Sequence, residues 1–134
     1  MYEKIQPTYG SLIRVNRGLY SHHGIYIDDN HIIHFASLKP GHELDPEEAS
    51  VVETDLATFL RGGQLEVRVY TDEEKRTVKK PSEIVNCAYA RLGEKGYNLV
   101  SNNCEHFVNE CAFGKKESGQ VNQVLDFLAS IFTK

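Results

Sequence analysis

The chain has 134 residues, 40% of them apolar and 25% charged, with a formal net charge of −4. That length and composition fit one globular domain over residues 1–134 and exclude a collagenous, low-complexity or wholly disordered chain. The acidic balance offers no basic excess for phosphate-backbone contacts, so nucleic acid is not expected as a partner.

In chain order, the turn material Pro7-Thr8-Tyr9-Gly10 leads into a short strand over Ser11 to Val15. Tyr20 to Ile27 and His31 to Ala36 read as two strands around the turn cluster Asp28-Asp29-Asn30. Leu38 to Glu48 is polar, carries Pro and Gly, and reads as a loop. Val51 to Glu53 suits a further short strand, and Thr54 suits the cap of a helical turn through Leu60, closed by Gly62-Gly63. Gln64 to Tyr70 alternates as a strand, with Leu65, Val67 and Val69 on one face. Thr71 to Lys80 is charged and is expected to be a solvated loop. Ser82 to Leu92 places Ile84, Val85, Ala88 and Leu92 at helical spacing, with Gly93 as the stop. Asn102-Asn103 precede a helix from Cys104 to Phe113, ended by Gly114, and Val121 to Phe132 reads as a third amphipathic helix that packs on the core. Strands early and helices late predict an α+β fold rather than a parallel βαβ sheet.

The three cysteines, Cys87, Cys104 and Cys111, are few and odd in number, unlike a secreted disulfide framework. Met1 to Gly10 does not read as a signal peptide, and Val121 to Phe132 is far short of the roughly 20 apolar residues of a bilayer span. The expectation is a soluble, cytoplasmic protein with no transmembrane segment.

Four of the six histidines lie between Tyr20 and Ala36. With a three-residue loop at Asp28-Asp29-Asn30, Ile27 pairs with His31, Tyr26 with Ile32 and Gly24 with His34. One face then gathers Ile25, Ile27, Ile33 and Phe35, and the other gathers His22, Gly24, Tyr26, Ile32, His34 and Ala36. A two-residue loop at Asp29-Asn30 would mix large apolar residues onto both faces, and a sheet with a buried face disfavours that register. In the favoured register His22 and His34 are diagonal neighbours with Gly24 between them, while His23 and His31 point the other way.

Asn103 is a good N-cap and places Cys104 in the first turn of its helix, where free N–H groups and the macrodipole favour a thiolate. A lone cysteine is more often a buried structural residue, and Cys87 and Cys111 are read that way. His106 lies two residues beyond Cys104, points away from it, and is read as a helix-surface or supporting residue. No Cys-x-x-Cys pair is present, and His31 and His34 face opposite sides of a strand, so a metal site is not the primary reading.

These residues resemble the lecithin-retinol acyltransferase-like (LRAT-like) family, which is related to the NlpC-type papain-like enzymes by a permutation that puts the histidine before the cysteine. Leu19-Tyr20-Ser21-His22-His23-Gly24-Ile25-Tyr26 through His34, Asn103-Cys104-Glu105-His106-Phe107-Val108 and Ser118-Gly119-Gln120-Val121 carry the resemblance. His23 stands where many members carry Trp. The resemblance implies a small antiparallel sheet packed against helices in the permuted papain-like arrangement. It implies Cys104 as the nucleophile that becomes acylated, His22 as its base, and His34 as the residue that orients and stabilises the His22 imidazolium. It implies no cofactor, and a substrate that is an acyl ester such as a phospholipid, with contact at a membrane surface left open. A cysteine peptidase or amidase acting on a peptide or amide substrate, and a catalytically silent interaction module, are the alternatives. The backbone N–H of Cys104 and the Tyr20 hydroxyl are candidate oxyanion donors.

Overall fold

The computed structural model describes residues 1–18, 20–41, 45–97 and 103–114. Among them six strands form one antiparallel sheet: β1 (Tyr2–Glu3), β2 (Leu12–Asn16), β3 (Ser21–Asp28), β4 (His31–Ala36), β5 (Ser50–Thr54) and β6 (Leu65–Arg68). The spatial order is β1-β6-β2-β3-β4-β5, so the histidine-bearing hairpin β3–β4 lies inside the sheet. The helices are α1 (Leu56–Leu60), α2 (Asp72–Thr77), α3 (Pro81–Ala90) and α4 (Cys104–Phe113), and a 3-10 turn spans Pro46–Glu48. The architecture is the α+β class expected from strands early and helices late. The Val121 to Phe132 segment lies outside the described residues.

Strand alternation sorts the core into two clusters. Leu12, Ile25, Ile33, Phe35 and Val51 face α3 and α4, where Ile84, Val85, Ala88, Phe107, Val108, Cys111 and Ala112 complete the larger cluster. Ile13, Val15, Tyr26, Ile32 and Val67 face the other way onto Phe59 of α1. Ile25, Ile33 and Phe35 are at most 1% exposed. Each such side chain gains roughly 1.5–3 kcal/mol on burial, so slipping β3 against β4 by one residue would cost more than any turn preference.

The hairpin reaches the favoured register by a different route. Asp28, not Ile27, pairs with His31, and the loop is the two-residue Asp29-Asn30. A bulge between Tyr26 and Asp28 absorbs the one-residue slip, so Tyr26 still faces Ile32 and Gly24 still faces His34. The Asp28 carboxylate explains the tighter turn. It accepts from the Asn30 N–H at 2.8 Å and pairs with His31 Nδ1 at 2.7 Å.

Two local expectations are corrected. Thr71 to Lys80 is not all loop, because α2 occupies Asp72–Thr77. Thr71 Oγ1 accepts from the Glu74 N–H and Glu74 Oε1 accepts from the Thr71 N–H, a capping box that needs no buried face. Thr54 does not cap α1. Asp55 is the N-cap, accepting from the Thr58 N–H at 2.8 Å, and this releases the Thr54 hydroxyl for another contact. Among the described residues no helix is long and apolar enough to cross a membrane.

Candidate active site

Strand β3 pairs with β2 over its whole first half, from Ser21 opposite Asn16 to Ile25 opposite Leu12. Its pairing with β4 begins only at Gly24 opposite His34. The Tyr26 N–H and C=O both bond toward the β2 side, to Ser11 and Gly10. With period two, the Ser21 C=O and the His23 N–H therefore face the β4 side, where the ladder is missing. The Cys104 thiol fills that gap. Its Sγ lies 3.9 Å from the Ser21 carbonyl, and the His23 backbone N–H favours its thiolate. The sulfur thus lies against the main chain beside His22.

The start of α4 fixes the sulfur's position. Asn103 Oδ1 accepts from the N–H groups of Glu105 and His106, both at 3.0 Å, and His106 Nδ1 accepts from the Asn103 N–H at 3.1 Å. This is a capping box with His in the place usually held by Glu or Gln. The cap at Asn103 is as expected from the sequence. His106 is not a surface residue: it is 5% exposed and turned back to the helix start. The spacing Asn-x-x-His was the available signal, though His is not a usual member of that motif. Phe107, Val108, Cys111 and Ala112 pin the helix to the sheet, and Gly114 ends it in the left-handed conformation at φ 72°.

The two histidines singled out together do meet. His22 Nε2 and His34 Nδ1 are 2.8 Å apart, with the rings edge-on at a centroid distance of 5.1 Å. Phe59 packs on both rings, 5.1 Å from His22 and 5.2 Å from His34. The far nitrogen of His34, Nε2, lies 2.8 Å from Thr54 Oγ1. Among the described residues His22 Nδ1 makes no hydrogen bond. A cleft opens onto both imidazoles and is also lined by Arg17, Tyr20, Ser37, Leu38, Arg61 and Tyr97. Arg17 is tied down by donating to the Phe59 and Leu60 carbonyls at the end of α1.

His23 goes to the opposite face, as its register demands. It is 1% exposed, with Tyr2 Oη 3.3 Å from Nδ1 and Glu105 Oε2 3.9 Å from Nε2. His31 sits at the turn with Asp28. Neither joins the His22–His34 pair.

Burial dominates the electrostatics. Desolvation pushes His22 well below the usual imidazole range, with His34, Arg17, His23 and Arg61 adding to the fall. Desolvation, Arg17 and Arg61 bring His34 down to about 3. The expectation that a helix start would depress the Cys104 pKa is corrected. Burial pushes the thiol up to about 11, although backbone N–H groups of His23, Glu105 and Cys104 itself pull the other way. Burial thus favours a neutral thiol and neutral imidazoles, an arrangement suited to proton transfer during attack rather than to a standing ion pair.

The sequence profile described as Lecithin retinol acyltransferase matches residues 5–117. Phospholipase A and acyltransferase 2 of Homo sapiens is 33% identical over 128 residues, covering 87% of this chain and 76% of that protein. Phospholipase A and acyltransferase 3 of Mus musculus is 32% identical over 130 residues, covering 90% and 79%. Lecithin retinol acyltransferase of Rattus norvegicus is 27% identical over 135 residues, covering 85% of this chain and 58% of that protein.

Proposed function

The chain belongs to the lecithin retinol acyltransferase family, and from that premise we propose that it moves acyl groups from ester donors, phospholipids among them, through a thioester on Cys104. The observation that carries the reading is the hydrogen-bonded His22–His34 pair open to a cleft, beside a sulfur held against the main chain that flanks His22.

In this reading His22 is the base. Its Nε2 is engaged by His34, so Nδ1, the ring nitrogen nearer the main chain, is the one that takes the thiol proton. The Cys104 sulfur attacks the ester carbonyl carbon and forms the C–S bond as the proton passes to His22. The tetrahedral adduct collapses, the ester C–O bond breaks, and the His22 imidazolium protonates the leaving alkoxide. Water, an alcohol or an amine then gives its proton to His22 and attacks the thioester, and the thiol is restored. His34 stabilises the imidazolium through Nδ1, as the third member of a triad does. Arg17 and Arg61 beside the cleft suit an anionic headgroup, in a chain whose net charge is −4.

The test is intact-mass spectrometry after incubation with a diacyl phosphatidylcholine in mixed micelles. The expected result is an adduct of one acyl chain that maps to Cys104 and is absent from Cys104→Ala. No adduct and no donor consumption, with cleavage of peptide or amide substrates instead, would move the reading to a cysteine peptidase. Full ester turnover by Cys104→Ala would remove the thiol mechanism.

A further inference from the structure

We propose that Thr54 is a positioning residue that sets the tautomers of His34 and, through it, of His22, a role that rests on the acyl-transfer reading above. A threonine hydroxyl has one proton to give. The Thr54 hydroxyl donates to the Asp55 carbonyl at 3.1 Å. Its oxygen can therefore only accept from His34, whose Nε2 lies at 2.8 Å. His34 then carries its proton on Nε2, and as a neutral ring it leaves Nδ1 bare. That bare nitrogen faces His22 Nε2 at 2.8 Å, so His22 must donate there and carry its own proton on Nε2. The remaining nitrogen, His22 Nδ1, is left with the lone pair that removal of the thiol proton requires.

The opposite setting disables the base. If Thr54 donated to His34, His34 would donate to His22, and His22 Nδ1 would already hold a proton. The charged stage of the cycle makes the same demand. An imidazolium His22 donates from both nitrogens, so His34 Nδ1 must still accept, and His34 Nε2–H must still have an acceptor of its own. Thr54 supplies it at both stages.

The fold aims the hydroxyl at this task. Thr54 on β5 pairs with Ile32 on β4, two residues from His34, so it shares the His34 face of the sheet as a diagonal neighbour. Asp55, one residue on, caps α1 through its side chain, and its carbonyl accepts both from the Phe59 N–H at 3.2 Å and from the Thr54 hydroxyl, which orients the Thr54 proton.

The experiment reads histidine ring nitrogens by long-range 1H–15N spectroscopy on the resting full chain, beside steady-state ester hydrolysis. The expected spectra show His22 and His34 both protonated on Nε2. Thr54→Val is expected to shift His34 toward the Nδ1–H form and to lower kcat by about 10- to 100-fold, the size of loss found when the hydrogen-bond partner of a metal-bound imidazole is removed. Its KM is expected to change little. Thr54→Ser is expected to restore the tautomers and most of the rate. Wild-type His34 protonated on Nδ1 would overturn the proposal. So would Thr54→Val with unaltered spectra, whether its rate is kept or lost, since a lost rate would then reflect packing. The spectra need no turnover, so a chain that forms no Cys104 thioester overturns the acyl-transfer reading without altering them.

Discussion

Gly24 and Phe59 are in contact across the second face of the sheet: a Cβ built on Gly24 would stand 2.8 Å from Phe59 Cε2. It would also lie 3.3 Å from His34 Cβ and from Ile32 Cγ2. Phe59 is fully buried and packs on the imidazoles of both His22 and His34, so the missing side chain at Gly24 is what lets the aromatic ring reach them. Gly24→Ala is expected to destabilise the fold by about 1–3 kcal/mol, the range for overpacking a tight core. It is also expected to lower ester turnover, because Phe59 cannot move without freeing His22 and His34. Urea unfolding and initial rates on the same preparation check both effects. An alanine variant with unaltered stability and rate would show that the contact is slack.

Buried neutral histidines make the fold sensitive to acid. His22 is held well below its ordinary value, His34 at about 3 and His23 at about 4, in each case chiefly by burial. Unfolding releases each toward the ordinary 6.5. Between the folded and unfolded values the unfolded chain binds the extra protons, so stability rises with pH. Their contribution is complete above pH 6.5 and is lost as pH falls, down to about 4 for His23 and about 3 for His34, with a slope of up to about 1.4 kcal/mol per pH unit for each histidine. His31, exposed and raised by Asp28, works in the opposite sense at the turn. Urea midpoints at pH 7, 6, 5 and 4 should decline steadily. A flat series would mean that the three rings take up protons in the fold at the same pH as in the unfolded chain.

Arg61 links helix termination to the same imidazoles. It ends α1 with φ 48°, a left-handed conformation that costs a non-glycine residue about 1–2 kcal/mol. Its charge also disfavours protonation of His22 and His34. Arg61→Gly is expected to raise unfolding stability by about 1 kcal/mol by relieving the strained position. Removing the cation makes the imidazolium easier to form, so His22 takes a proton at higher pH. The acid limb of kcat/KM for a neutral ester should therefore move upward. Thermal melts and a pH–rate profile read the two effects separately. An acid limb that stays in place would show that solvent screens Arg61 from the site.

Much of the site was legible because it rests on short-range rules. Period-two alternation put His22 and His34 on one face, and the Asn103 cap put Cys104 at the start of α4. The hairpin loop was not legible, since the bulge between Tyr26 and Asp28 follows from hydrogen bonds of the Asp28 side chain rather than from hydropathy. Helix α2 leaves no mark in the hydropathy pattern, because it buries nothing and shows only in its Thr71–Glu74 capping box. The raised Cys104 pKa is not legible in the sequence, because a helix start supplies partial charges, whereas desolvation depends on everything packed around the sulfur. Thr54 and Asp55 stand side by side as possible caps, and the stronger N-cap, Asp55, takes the role.

The proposed roles predict an order among three substitutions. Cys104→Ala removes the atom that forms the thioester, so no acyl adduct and no turnover above background are expected. His22→Ala keeps the nucleophile but leaves a thiol that burial has pushed up to about 11, with no base to take its proton. A loss of about 10²- to 10⁴-fold in kcat is expected, the usual contribution of general acid–base catalysis. His34→Ala leaves the base in place and removes the acceptor at 2.8 Å that orients it and stabilises its charged form. Its loss should be smaller, about 10- to 100-fold, and His34→Gln, which can still offer an acceptor, should recover part of it. Each variant also alters a core contact with Phe59 or α4, so far-UV circular dichroism and a urea midpoint are needed beside the rates. A folded His34→Ala slower than a folded His22→Ala would reverse the two histidine roles, and a folded Cys104→Ala with undiminished turnover would end the covalent mechanism.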